Sequence, residues 1–362
     1  SDEVNRVSDR GLLGLALHPD FPSTNWVYLL YTYDPPETSA QSGSAGRDGD
    51  GQRVSRLIRV EADPATAYQT YLPGSEIVIL GGASIWSNIG DPAAQQTDLT
   101  APWACGPRGA YVQDCVPSDG KSHSIGTVAF GSDGMLFVGN GDAATWTTVD
   151  PKAIRALDVD SLAGKILRID PDTGAGLADN PYWDGNPQSN YSKVWQKGLR
   201  NPFRFFPASD GRLWIGDVGW TTWEELNQAS PGADFGWPCF EGDDTGSAQQ
   251  PGYSALDECQ SYYVTASPAA PRHAYRHISG VGGAIVAGTV YTASKWPAEY
   301  HGKLFFADYS FAEVNYADVD GSTMTSHPFA TDLIAVDITI GPDGDLYLAG
   351  IGTGTIDRIV YT

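Results

Sequence analysis

The stretch "KGLRNPFRFFPASDGRLWIGDVGWTTWEEL", Lys197–Leu226, holds two apolar runs, "FRFF" and "RLWIGDV", split by a turn at Ser209-Asp210-Gly211. Each run has strand length, and Asp-Gly between two such runs signals a hairpin. Arg200-Asn201-Pro202 and Gly219-Trp220 stand at the strand boundaries, where a sheet needs neither polar residues nor glycine. A turn at Asp210 brings both corners to the same end of the hairpin. The unit therefore reads as a hairpin whose corners have something to hold.

The same unit recurs along the chain. It appears at 12–32 ("LLGLALHPDFPSTNWVYLLYT"), 125–142 ("IGTVAFGSDGMLFVGNGD"), 202–219, 288–309 and 336–352 ("VDITIGPDGDLYLAGIG"). Self-similar strand–turn–strand units spread over a whole chain are the mark of an all-β fold of the β-propeller type. A sandwich is the alternative, but its strands need not share a turn. Helical periodicity is scarce, with room for a turn or two only at 150–163. One propeller domain is expected over 1–362, with long loops at 34–52, 81–122 and 228–280 that gather on one face and build a site there. Asp48-Gly49-Asp50 in the first loop looks like part of a calcium loop but lacks the downstream Glu of an EF-hand.

Of the 362 residues, 41% are hydrophobic and 11% aromatic, with 42 Gly and 24 Pro, a mixture that suits many short strands and turns. The formal net charge of -22 excludes a nucleic-acid partner, which needs a basic face. It also disfavours an anionic ligand unless a pocket supplies local cations. No apolar run has the length of a membrane span. No signal-peptide pattern precedes the first strand, so Ser1 reads as the start of a processed or trimmed chain. The four cysteines form two local pairs, Cys105 with Cys115 and Cys239 with Cys259, without the spacing of a zinc site. Two disulfides are expected, and with them a secreted or periplasmic setting.

Among the six histidines, His123 stands on a polar loop just before an apolar strand, where a base could reach a ligand at the end of a sheet. A structural histidine is the competing reading. His18 reads as a turn residue. Arg200 offers five donors and Asn201 a donor and an acceptor, a set that suits an oxygen-rich planar ligand or, equally, a propeller corner. Gly219 and Trp220 could present bare carbonyls to Ca²⁺. Asp142, Asp217, Glu224 and Glu225 stand at strand ends, and a glycosidase would need two of them to face each other across a sugar. No phosphate loop or nucleophile elbow is present.

The segments "DRGLLGLALHPDF" (9–21), "HSIGTVAFGSDGMLFVGNGD" (123–142) and "LAGKILRIDPDTG" (162–174) extend the picture. With "GLRNPF" (198–203), "GDVGWTTWEELN" (216–227) and "DFGWPCFEG" (234–242), they make the chain resemble the glucose/sorbosone dehydrogenases over nearly its whole length. These are soluble quinoproteins that use pyrroloquinoline quinone (PQQ) and Ca²⁺. The resemblance implies a six-bladed propeller with the first blade incomplete here, or else a five-bladed ring, since only five units are seen. It implies His123 as the base that takes the sugar C1 hydroxyl proton, Arg200 and Asn201 as cofactor contacts, and Asp9 and Arg10 on the substrate side. Gly219 and Trp220 would lend carbonyls to Ca²⁺, and electrons would pass to an external acceptor.

In one respect the sequence departs from that pattern. Family members add basic residues from two late blades to neutralise the quinone's carboxylates, yet 307–316 and 331–340 contain no Lys or Arg. Arg10, Lys121 or Arg276 would have to replace them. The expected function is a PQQ- and Ca²⁺-dependent aldose dehydrogenase. The alternative is a non-catalytic carbohydrate- or ligand-binding propeller that has lost PQQ, and a glycoside hydrolase is the third reading.

Overall fold

The recurring turn has a physical basis. In three units the aspartate side chain accepts a backbone N–H two residues on: Asp133 from Met135 at 3.0 Å, Asp210 from Arg212 at 3.1 Å and Asp343 from Asp345 at 3.2 Å. The glycine between them takes the left-handed conformation, with φ of +78° at Gly134, +83° at Gly211 and +80° at Gly344. Each turn folds its two flanking runs into an antiparallel pair.

The computed structural model describes residues 2–243, 245, 248–319 and 324–361, so positions 244, 246 and 247 of the long loop 228–280 lie outside it. The strands form five antiparallel sheets in chain order. The first holds β1 (Leu12–Leu17), β2 (Trp26–Tyr33), β3 (Arg53–Glu61), β4 (Ile77–Leu80) and β5 (Val116–Ser118), the last also paired to β3. The second holds β6 (Ile125–Phe130), β7 (Leu136–Asn140), β8 (Lys165–Ile169) and β9 (Val194–Lys197). The third runs through β10 (Arg204–Pro207), β11 (Leu213–Asp217), β12 (Trp223–Asn227) and β13 (His273–Arg276). The fourth is β14 (Ile285–Val290), β15 (Leu304–Asp308), β16 (Glu313–Ala317) and β17 (Ser326–Thr331). The fifth is β18 (Asp337–Ile340), β19 (Leu346–Gly350) and β20 (Thr355–Ile359).

This is the propeller expected from the repeats, with five blades for five units. The described residues form no sixth sheet, and the short sheet is the last, while the first has five strands.

The core lies in the seams between blades. Strand alternation sends neighbouring side chains of β11 to opposite seams. Leu213 and Ile215 pack with Phe137, Ile166 and Phe205 of the second and third sheets. Trp214 between them packs with Ile285, Ala287 and Leu304 of the fourth. β14 repeats the device, since Val286 turns towards Ile338, Leu346 and Leu348 of the fifth sheet. Burying each such side chain contributes roughly 1.5–3 kcal/mol. The first strands of successive blades approach closely where side chains vanish. A Cβ on Gly126 would lie 2.3 Å from the Phe203 carbonyl oxygen.

The stretch 150–163 forms a short 3-10 helix, Pro151–Ala156, capped by the Asp150 side chain. Periodicity missed the helix Asp257–Thr265, which sits inside the loop 228–280. No helix among the described residues is long and apolar enough to cross a membrane. Both expected disulfides are formed, Cys105–Cys115 and Cys239–Cys259. The loop 34–52 is ordered around a buried Arg53–Asp34 ion pair, and Asp48 pairs with Arg6. Its resemblance to a calcium loop therefore has a simpler explanation, and the described residues contain no cluster of three or more metal-ligating side chains.

Candidate active site

The first strand of every blade starts at the propeller axis, and there the chain forms an open-mouthed cavity of about 410 Å³. Asp9, Arg10 and Leu13 line it from the first blade, His123 from the second, and Asn201, Phe203 and Val218 from the third. Ile285, Val286, Tyr309 and Ser310 of the fourth blade and Val336 and Ile351 of the fifth complete the wall.

His123 reaches this wall through strain. Its φ is +51°, a left-handed conformation that a non-glycine residue adopts at a cost of roughly 1–3 kcal/mol. The bend is held by Ala143 N–H donating to the His123 carbonyl at 2.9 Å and Gly141 N–H donating to Ser124 at 2.6 Å. The ring is buried with Nδ1 3.2 Å from Asp142 Oδ1. Asp142 also accepts Ala144 N–H at 2.9 Å and the Trp237 indole N–H at 2.8 Å.

Burial lowers the His123 pKa, the charge of Arg200 lowers it further, and Asp142 pulls against both without cancelling them. Burial would raise Asp142, but His123, Arg200 and Ala144 N–H together hold its carboxyl below the ordinary value. The pair is thus neutral imidazole beside carboxylate at neutral pH. An ionised Asp142 only accepts, so the His123 proton sits on Nδ1 and Nε2 keeps a free lone pair.

The corner residues are built as a unit. Asp217, at the end of β11, accepts Arg200 N–H at 3.0 Å and Asn201 N–H at 2.6 Å. Arg200 Nη1 donates to the Val218 carbonyl at 2.8 Å and the Gly219 carbonyl at 2.6 Å. The Arg200 carbonyl in turn accepts Asp142 N–H at 2.7 Å. The two corners of the opening stretch therefore do meet, and the Arg200 corner is tied to the backbone of the aspartate that serves His123. The Asn201 side chain lines the cavity with no hydrogen-bond partner among the described residues.

Other expected residues are placed differently. Arg10 borders the cavity with its two Nη atoms on carbonyls, Gly51 at 2.9 Å, Ser118 at 2.9 Å and Gly120 at 2.8 Å, while its buried Nε has no hydrogen-bond partner among the described residues. It ties the loop 34–52 to the segment leading into His123. Asp9 lies beside it, its N–H donating to the Lys121 carbonyl at 3.2 Å. Arg276 is exposed and stacks on Trp223, 4.3 Å from the ring centroid. The four strand-end carboxylates line no part of this cavity. Asp142 belongs to His123, Asp217 pairs across the sheet with Glu225, and Glu224 accepts from Ile285 N–H and meets His277 Nε2 at 2.7 Å. The facing pair that a glycosidase needs is absent from the described wall. Trp237 is the residue that sequence reasoning passed over. Its only sequence signal is its place in "DFGWPCFEG", within the resemblance.

A family profile described as Glucose / Sorbosone dehydrogenase matches residues 111–356. Aldose sugar dehydrogenase YliI of Escherichia coli K12 is 27% identical over 232 residues, 63% of this chain and 57% of that protein. Quinoprotein glucose dehydrogenase B of Acinetobacter calcoaceticus is 24% identical over 252 residues, 66% of this chain and 42% of its own. HIPL1 protein of Arabidopsis thaliana is 26% identical over 266 residues, 67% and 35% of the two chains. The chain thus spans about a third to somewhat over half of the length of the curated relatives it matches. Among solved structures, the PQQ-bound aldose sugar dehydrogenase of Streptomyces coelicolor shares the fold at a TM-score of 0.62. That match has 21% identity and covers 97% of this chain and 77% of the other.

Proposed function

The chain belongs to the glucose/sorbosone dehydrogenase family, and from that premise we propose that it oxidises the C1 hydroxyl of an aldose sugar. PQQ with Ca²⁺ would be the oxidising group, and an external acceptor would receive the electrons. The observation that carries this reading is His123 on the wall of the axial cavity with the Asp142 carboxylate behind it at Nδ1. A base with its lone pair at Nε2 suits removal of a hydroxyl proton, and Asp142 stabilises the imidazolium that forms. PQQ, when bound, would supply the hydride acceptor.

The wall suits the quinone end of such a group. The Asn201 amide has no hydrogen-bond partner among the described residues, Arg200 lies behind it, and Phe203 and Val286 offer apolar faces to a planar ring. Arg200 and Asn201 would hold the quinone oxygens. The Trp220 carbonyl accepts no hydrogen bond from a described residue, while the Gly219 carbonyl already accepts Arg200 and keeps one acceptor position. A Ca²⁺ ion there would share that oxygen with a guanidinium.

The carboxylate end is not matched. The late blades contribute Tyr309, Ser310 and Val336 to the wall, all uncharged, and both Nη atoms of Arg10 are held by backbone carbonyls. That observation favours a second reading, a propeller that binds a neutral carbohydrate without turnover. The two disulfides support a secreted or periplasmic setting for either one.

Titrating the purified protein with PQQ and Ca²⁺ separates them. Cofactor absorbance with sugar-dependent dye reduction supports the dehydrogenase. No binding at micromolar PQQ, together with retained sugar binding, supports the second reading.

A further inference from the structure

Trp237 holds the one oxygen of Asp142 that His123 does not face. Its indole Nε1 donates to Asp142 Oδ2 at 2.8 Å, while Oδ1 accepts Ala144 N–H at 2.9 Å and lies 3.2 Å from His123 Nδ1. Trp237 is only 3% exposed. Its ring packs edge-on against Tyr253 at 5.2 Å and Trp220 at 6.4 Å, with the Arg200 guanidinium 5.5 Å from its centroid. Its backbone N–H is fixed to the Gly198 carbonyl at 2.9 Å, and the Cys239–Cys259 bridge starts two residues on. A side chain from the loop 228–280 of the third blade thus reaches the catalytic loop of the second.

We propose that Trp237 is a positioning residue whose indole N–H fixes the plane of the Asp142 carboxylate and so the tautomer and aim of His123. The inference deepens the reading of His123 as the base and rests on it. Turning about the Cβ–Cγ bond swings both oxygens, so the indole N–H on Oδ2 and the Ala144 N–H on Oδ1 oppose it together, and the loss of either weakens the hold on the plane. Without the indole N–H, Oδ2 is buried with no donor, and the carboxylate turns to seek one. Oδ1, already shared with Ala144, then ceases to face Nδ1. The other charged groups that act on His123, Arg200 and Asp9, offer no substitute acceptor in the same place, since one is a cation and the other sits at the cavity rim.

The test is a long-range ¹H–¹⁵N correlation spectrum of histidine-labelled protein without cofactor, at neutral pH, with His123 assigned through His123→Asn. The wild type should show a single tautomer protonated at Nδ1. Trp237→Phe should show a mixture of both tautomers. Replacing Trp237 by benzothienylalanine, which keeps the bicyclic shape and removes only the N–H, should give the same mixture. That second variant decides the matter if the Phe variant does not fold. In PQQ-loaded protein the same changes should lower kcat about tenfold with KM unchanged, the size of one hydrogen bond to a charged group. A benzothienylalanine variant that keeps the Nδ1-protonated tautomer overturns the proposal. The spectrum needs no cofactor, so failure of sugar oxidation would leave the tautomer result standing and overturn only the reading it rests on.

Discussion

Asp217 lies directly opposite Glu225 in the register of β11 and β12, both carboxyls buried, and Asp217 alone carries the backbone N–H groups of Arg200 and Asn201. Burial raises both pKa values, and the partner's charge raises Asp217 further, while Glu225 is pushed up to about 7. A carboxyl whose folded pKa is raised binds its proton more tightly when folded than when unfolded. Its contribution is therefore most favourable below the unfolded value near 4.5 and is lost as pH rises to about 7. Melting temperature measured across that window should fall by an amount worth a few kcal/mol at most. Glu225→Gln should flatten the decline. A decline of equal size in the variant would show that the pair does not cause it.

His123→Asn should remove turnover and leave cofactor affinity within about twofold. General-base catalysis contributes roughly 10²–10⁴-fold, which sets the expected loss in kcat. Asparagine is the right replacement because the position has φ +51°, and Asn tolerates the left-handed region better than Ala or Gln. In the wild type the lowered His123 pKa should place the acid limb of the kcat/KM profile below pH 6.5, with activity rising as the ring loses its proton. A limb above that value would contradict the burial seen at this ring.

Replacing both Cys239 and Cys259 by Ser opens a loop with a sequence separation of 20. Loop-closure entropy puts the cost at roughly 3 kcal/mol, readable as a lower urea midpoint. Cys239, Cys259, Trp237 and Tyr253 share one core cluster with Ala144 and Ile154 beside the loop that carries His123. The loss should therefore also blur the His123 tautomer. The Cys105–Cys115 bridge packs with Tyr31, Ile58 and Ile89 of the first blade, and its removal should spare that tautomer.

The propeller was legible because its repeating turn is local chemistry: an aspartate, a glycine and two alternating strands suffice to announce it at 132–134, 209–211 and 342–344. His123 and the Arg200-Asn201 corner were legible for a different reason, since polar residues at strand ends have no work to do in a sheet. What remained hidden depends on pairing between distant segments. Asp142 and Trp237 are 95 positions apart, and nothing in either neighbourhood says that one indole N–H meets one carboxylate oxygen. Arg10 misled for the same reason. Its four carbonyl contacts come from two remote loops, and from sequence its charge looks free.

The uncharged late-blade wall of the cavity allows a gain-of-function test. Ser310 lines the cavity at the end of β15, is partly exposed, and belongs to the stretch 307–316 that carries no cation. Ser310→Lys would add one ammonium group to the wall at little desolvation cost. A charge-assisted contact to a carboxylate contributes roughly 1.5–3 kcal/mol, so PQQ should bind about 10- to 100-fold more tightly. The gain should shrink as salt is raised from 50 to 500 mM, because screening weakens a partly exposed pair; both salt levels are about those that bracket a Debye length of 10 Å. A neutral sugar should bind as before. If PQQ affinity does not change while the variant remains folded, the quinone's carboxylates do not lie against this side of the cavity, and the missing late-blade cations cannot be what limits cofactor binding.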